Sequence, residues 1–166
     1  MPWQNQIPGN TLPLSSLAKP VWASISTRRY NKGILRPATL SLYDKVTENY
    51  IGSTRLYDIQ LKHKTTQLGY TWYSIASRGT GINKHCKYLL LQFAFETLGF
   101  ERVEFRADLR NELSIAAMKS IGCTVEGVLR KSMILSNGDR RDSIVLSILK
   151  SEWESGIKTS LKERLK

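Results

Sequence analysis

The stretch Ser77-Arg78-Gly79-Thr80-Gly81-Ile82-Asn83 joins two kinds of hydrophobic periodicity, and that junction sets the fold. Before it, the apolar residues alternate. Thr39-Leu40-Ser41-Leu42-Tyr43, Tyr50 to Ile59 and Gln67 to Ser74 read as three strands. Polar turns at Asp44 to Asn49 and Gln60 to Lys64 separate them and make them an antiparallel meander. After the junction the period lengthens. Leu89, Leu90, Phe93, Ala94 and Leu98 recur at helical spacing over about Asn83 to Leu98, and Gly99 is a suitable stop.

Downstream, Val103, Phe105 and Ala107 alternate with Arg102, Glu104 and Arg106, as in a half-buried strand. Asn111 can cap a second helix that runs to about Ser120 and ends at Gly122. Thr124 to Leu135 and Arg141 to Leu149 are strands joined by Asn137-Gly138, a strong hairpin signal. The order is three strands, helix, strand, helix, two strands. Its β-α-β unit requires a right-handed parallel crossover, so the fold class is α+β with a mixed α/β sheet. The tail places Ile157, Leu161 and Leu165 at i, i+4 and i+8 among basic residues, which predicts a fraying amphipathic helix.

The chain of 166 residues is one domain in size. All five prolines fall within residues 1–37, where periodicity is absent. That segment is expected to be irregular or partly disordered, with a short ordered piece near Val21 to Ile25. The folded domain is expected over residues 38–156 and the basic tail over 157–166. No apolar stretch reaches membrane-spanning length, and Met1 to Asn10 lacks a secretory pattern, so a cytoplasmic protein without membrane association is expected. Cys86 and Cys123, with His63 and His85, show no metal-ligand spacing, so no metal is expected. The net charge of +11 fits either a polyanionic partner (a phosphate-rich cofactor, RNA or a ribosomal particle) or simply a solvated basic surface, and charge alone does not choose between them.

A glycine-rich turn that leaves a strand and opens a helix can bind an anion. Glycine lets backbone N–H groups approach phosphate, the helix N-terminus is partially positive, and Arg78 can add a charged donor. The third glycine and the ribose-binding acid of a dinucleotide fingerprint are missing, as is the Gly-Lys-Ser/Thr ending of a P-loop. A tight turn without a ligand remains the alternative from this stretch alone.

The wider series is more specific. Gly69-Tyr70-Thr71-Trp72, then Arg78 to Asn83, Leu89-Leu90-Leu91, Phe93-Ala94-Phe95-Glu96 and Asn111-Glu112-Leu113-Ser114 follow in order. Ile121-Gly122, Glu126-Gly127-Val128-Leu129-Arg130, Gly138, Arg141-Asp142 and Glu152-Trp153 complete it. Over about Tyr50 to Glu154 this series resembles the GNAT acetyltransferase family, in particular the group with bacterial ribosomal-protein N-terminal acetyltransferases. The resemblance implies a central mixed sheet with helices on both faces, and acetyl-CoA as co-substrate in a cleft between the strands of Trp72 and Phe105. Pantetheine would pair with Trp72, Tyr73, Ser74 and Ile75, and the pyrophosphate would rest on Arg78, Gly79, Thr80, Gly81, Ile82 and Asn83. Asn111 and Ser114 would face the cofactor from the other side. The family's Arg or Gln three residues before the first glycine is replaced by Ala76.

The acceptor implied is a primary amine, foremost a ribosomal or other protein N-terminus. An α-amine titrates near 7.7–8.0 and a lysine near 10.4, so an enzyme without a strong base suits the former. Ser114 is the candidate donor to the thiolate, or else simply a helix-start residue; Tyr70 and Tyr73 are rival donors. Relatives often carry an acid where this chain has Gln67 or Met133, which leaves Glu126 as the catalytic carboxylate candidate, with a purely structural role as its alternative. The family's usual opening of one strand and two helices has no clear copy in residues 1–37, and a groove completed by a second subunit would make the protein a homodimer. Other readings are a catalytically impaired CoA-binding protein, an acetyltransferase of small amines, and a basic RNA- or ribosome-binding module. Nucleic acid is not expected as substrate, because no aromatic–basic interleaving is present.

Overall fold

The computed structural model describes residues 21–24 and 38–165. One seven-stranded sheet has the order β1-β2-β3-β4-β5-β7-β6. Its strands are β1 (Val21–Ser24), β2 (Ala38–Asp44), β3 (Asn49–Gln60), β4 (Thr65–Tyr73), β5 (Arg102–Asp108), β6 (Thr124–Ile134) and β7 (Arg140–Leu149). β1 coincides with the ordered piece expected near Val21 to Ile25; the rest of residues 1–37, and the expectation of irregular chain there, lies outside the described residues. The first four strands run antiparallel, β4 and β5 are parallel, and β7 is antiparallel to both β5 and β6.

Helix α1 (Ile82–Gln92) links β4 to β5, and α2 (Glu112–Ser120) links β5 to β6. Both crossovers step the same way across the sheet, so one handedness puts both helices on one face. Leu90, Leu91 and Ala94 of the first crossover and Met118 of α2 accordingly share one core cluster with Val103, Phe105, Ala107, Leu146 and Ile148 of the sheet. Helices on both faces were expected; among the described residues they cover one face only. The opposite face of β5 and its neighbours carries a charged strip, where Arg102 and Arg106 pair with Glu104 and Arg102 also pairs with Glu126.

The first crossover helix differs from its expected span. α1 gives way at Phe93–Thr97 to a wider π-helical turn, in which the Leu98 N–H reaches the Phe93 carbonyl. Trp153 explains the widening. It is fully buried, stacks obliquely on Tyr88 and Phe95, and donates its Nε1–H to Glu96 at 2.9 Å. The turn brings Phe95 and Glu96 to the same indole. The C-terminal segment also departs from expectation. Instead of fraying, a last helix, α3 (Lys158–Glu163), buries Leu161 completely in the main core, and Arg164 donates to the Ser120 carbonyl at 2.9 Å.

Glu96 is thus a hub between α1 and the C-terminal segment. Partial burial opposes its ionisation, but hydrogen bonds from Lys158, Trp153 and Gln92 outweigh it and hold the carboxyl below its ordinary 4.5. The stability it supplies is full above that ordinary value and lost as pH falls through the lowered folded value. Glu96→Gln should therefore destabilise the protein at neutral pH and flatten the acid side of its stability curve. Urea unfolding between pH 3 and 7 measures this; parallel acid limbs for the two proteins would contradict it.

Candidate functional site

The fork between β4 and β5 is built by one irregularity. The two strands pair only at Thr65–Arg102, Thr66–Val103 and Gln67–Glu104. On its other side β4 pairs Gly69 with Arg55 and Trp72 with Ser53, so Tyr70 and Thr71 together oppose Thr54 alone. Tyr70 takes a left-handed φ of 50° to complete this bulge. A bulge bends and twists its strand, and beyond it β4 no longer meets β5. Leu68 to Tyr73 and Phe105 to Asp108 each keep an outer neighbour and leave their facing edges unpaired. Gly52 permits the close approach of β3, since a Cβ there would stand 2.2 Å from the Trp72 carbonyl oxygen.

At the open end of the fork the chain makes a 3-10 turn, Ile75–Ser77, and then the glycine-rich turn. Ser74 and Ser77 share a hydroxyl bond of 2.8 Å, and the Thr80 hydroxyl donates to the Ser77 carbonyl at 2.8 Å. Gly79 and Gly81 have φ of 74° and 84°, a region that favours glycine, and open space lies where a Cβ would be. The N–H groups of Gly79, Thr80, Gly81, Ile82 and Asn83 find no acceptor among the described residues. Successive free amides at a helix N-terminus are complementary to a phosphate. An unpaired strand edge leading into that cradle suits an extended, amide-bearing arm. The residues present therefore fit a CoA-like ligand. Trp72, Ile75 and Arg78 are exposed beside it.

Tyr73 has a bracing position. Its hydroxyl donates to Asn83 Oδ1 at 3.0 Å and so ties the end of β4 to the first turn of α1. Burial, with a lesser contribution from Cys86, pushes its ionisation far above the ordinary phenol range. Tyr70 is exposed, with its ring edge-on to Tyr57 at 4.9 Å and Arg55 5.1 Å from its centre.

Across the fork, Asn111 caps α2 by accepting the Ser114 N–H at 3.0 Å. The Ser114 hydroxyl makes no hydrogen bond among the described residues and is half-buried. Glu126 lies between Val125 and Gly127, which pair with Leu146 and Val145, the partners of Phe105 and Arg106, so it is level with the first positions at which β4 and β5 part. Ser147 and Arg102 hold it, and both lower its pKa. Through these contacts the carboxylate braces β6 to β5 and β7. Gln67 donates to Asp58 at 2.8 Å, and Asp142 accepts the Lys131 N–H at 2.6 Å within the β6–β7 hairpin.

Two residues at the fork were missed in the sequence. Gly52 gave no signal, because a close backbone approach has no pattern of its own. Lys87 did give one: it lies three, four and seven residues before Leu90, Leu91 and Ala94, on the apolar stripe of α1. It is buried and donates to the Thr71 hydroxyl at 3.0 Å.

Comparison with known proteins agrees with this geometry. An acetyltransferase (GNAT) domain model matches residues 14–124. The curated Bacillus subtilis (strain 168) protein "Putative ribosomal N-acetyltransferase YdaF" is 33% identical over 103 residues, 62% of this chain and 55% of that protein. The chain thus spans about half the length of that curated relative. A solved structure of a "putative acetyltransferase from T. thermophilus" is 38% identical with a TM-score of 0.72, over 81% of this chain and 69% of the other. The Vibrio cholerae spermidine/spermine N-acetyltransferase SpeG shares the fold, with a TM-score of 0.65 at 19% identity over 72% of this chain and 68% of the other. With its forked sheet, its amide cradle and a family match over most of its length, the chain belongs to the GNAT acetyltransferase family.

Proposed function

We propose that the protein is an acetyl-CoA-dependent N-acetyltransferase of the cytoplasm whose acceptor is a protein or peptide α-amine. The observation that carries this reading is the row of unpartnered amides from Gly79 to Asn83, at the end of the unpaired edge of β4. These amides, with Arg78, would hold the pyrophosphate. Trp72 to Ile75 would pair with the pantetheine arm, and Asn111 and Ser114 would close the other side. Bound there, acetyl-CoA supplies an activated acyl thioester. Holding that carbonyl and an amine together lowers the barrier by proximity, and a backbone N–H of the open β4 edge can donate to negative charge growing on the acyl oxygen. The free Ser114 hydroxyl is the proton donor for the departing thiolate.

What flanks the fork supports this acceptor class. Glu104 is engaged by Arg102 and Arg106, and Glu126 by Arg102 and Ser147, so neither is a free base. An α-amine keeps about a tenth of its molecules neutral near pH 7 without help, whereas a lysine keeps over a hundredfold fewer. A net charge of +11 disfavours a polycationic amine as the acceptor. The name of the curated relative supports a ribosomal protein N-terminus as the first acceptor to test.

Calorimetric titration with acetyl-CoA, followed by a mixture of N-terminal peptides, tests the reading. Saturable binding and an acetylated peptide are expected; binding without transfer would leave a CoA-binding protein, and no binding would end the proposal. Gly81→Glu puts a carboxylate in the cradle and should weaken CoA binding by more than about tenfold. Ser114→Ala should lower kcat about tenfold or more with CoA affinity retained; equal turnover would remove Ser114 from the reaction.

A further inference from the structure

Lys87 is buried and pairs with no carboxylate among the described residues. Among the described residues its only hydrogen bond goes to the Thr71 hydroxyl, at 3.0 Å, and its Nζ lies 5.7 Å from the centre of the Phe105 ring. Thr71 is on β4 and Phe105 on β5, so this one side chain contacts both arms of the fork where they part. An ammonium has donors and no acceptor. Thr71 therefore accepts from Lys87, and because the single Thr54 hydrogen goes to the Gly69 carbonyl, the Thr71 hydrogen points to Thr54, 2.7 Å away. Thr54 in turn donates to the Gly69 carbonyl at 3.2 Å. The relay Lys87 → Thr71 → Thr54 → Gly69 runs across the two ends of the bulge, Gly69 and Thr71, and through the single residue opposite it. A bulge leaves backbone groups without ladder partners, so side-chain bonds of fixed direction decide whether it keeps one shape.

We propose that Lys87 is a positioning residue of the transfer cleft: its ammonium fixes the direction of the Thr71–Thr54 hydroxyl relay, locks the β4 bulge, and so sets the open strand edge that receives the thioester. The consequence for transfer rests on the acetyltransferase reading; the consequence for the bulge does not. Burial lowers the Lys87 pKa to about 8, and the groups facing it are two thiols, Cys86 on its own helix and Cys123 in the turn before β6. Tyr73 on β4 and Asp44 on β2 stand next to Cys86. Below about pH 8 the ammonium enforces the relay direction. Above it, a neutral amine can also accept, and the direction is lost.

Lys87→Met keeps length and apolar volume while removing the charge, and exchanging a buried unpaired cation for a thioether should not cost stability. Lys87→Arg retains a permanent charge. Amide hydrogen exchange, by mass spectrometry of the full chain, should be at least tenfold faster over residues 69–72 in Lys87→Met, with α2 and the β6–β7 hairpin unchanged. With acetyl-CoA and a reactive peptide, kcat should fall at least tenfold while the KM for acetyl-CoA moves less than threefold. The ratio of wild-type to Lys87→Arg kcat should decline as pH rises through about 8, and the ratio of wild-type to Lys87→Met should decline with it. Wild-type exchange over residues 69–72 in Lys87→Met overturns the positioning role, and unchanged kcat with a flat ratio overturns its bearing on transfer. Should Lys87→Met fail to fold, slower exchange over residues 69–72 in wild type at pH 7 than at pH 9, after correction for intrinsic rates, supports the relay, and its absence overturns it. A wild-type chain that binds CoA but acetylates no amine refutes the enzyme reading alone, because the exchange result stands independently of it.

Discussion

Everything distinctive about this molecule follows from the point at which β4 and β5 stop sharing hydrogen bonds. Parallel neighbours in a sheet usually pair along their whole common length, because an unpaired buried amide or carbonyl is costly. Here they pair at three positions and then separate. The separation is stable because each strand keeps its outer partner, β3 on one side and β7 on the other, and because the bulge at Tyr70–Thr71 bends β4 away. The result is a length of backbone with free donors and acceptors inside an otherwise complete sheet, continuous with the free amides of the next helix N-terminus.

The two sides of the sheet then divide the work. One face is closed by α1, α2 and the C-terminal segment over a continuous apolar core. The other bears the strip of Arg102, Glu104, Arg106 and Glu126, whose members largely neutralise one another. Such a strip gives a polar surface without a strong base, which suits an acceptor that can reach the fork already neutral.

The succession of strands along the chain, both crossover helices and the glycine-rich turn were legible because each is a local pattern: alternation in β5, the i, i+3, i+4 stripe in α1, and Asn111 ahead of α2. The cradle was legible for the same reason, since glycine at 79 and 81 marks backbone that other residues rarely adopt. What was not legible depends on contacts remote in sequence. Glu126 sits in a motif-like Glu-Gly pair, yet its place is set by Arg102 and Ser147, 24 and 21 residues away. Gly52 is dictated by the carbonyl of Trp72, and the π-helical turn at Phe93–Thr97 by Trp153. Helices on both faces were inferred by family likeness, whereas the direction of the two crossovers puts the described ones on a single face. Lys87 stood on an apolar stripe, where a charge is the kind of local inconsistency that accompanies a functional site.

The anchoring of α1 by Trp153 has a consequence for the order in which the molecule is made. The N-terminus of α1 forms the cradle, but its far end is fastened by the indole, by the Glu96–Lys158 pair at 2.8 Å and by the layer to which Leu161 belongs. A chain extending only to Leu149 holds every described strand and both glycines of the turn, yet its cradle helix lacks those anchors. The far end of α1 is therefore fastened only once the Trp153–Leu161 segment has docked. Before it docks, the apolar side chains of α1 that Trp153 and Leu161 cover are open to solvent, the kind of surface that makes a partly folded chain prone to aggregate.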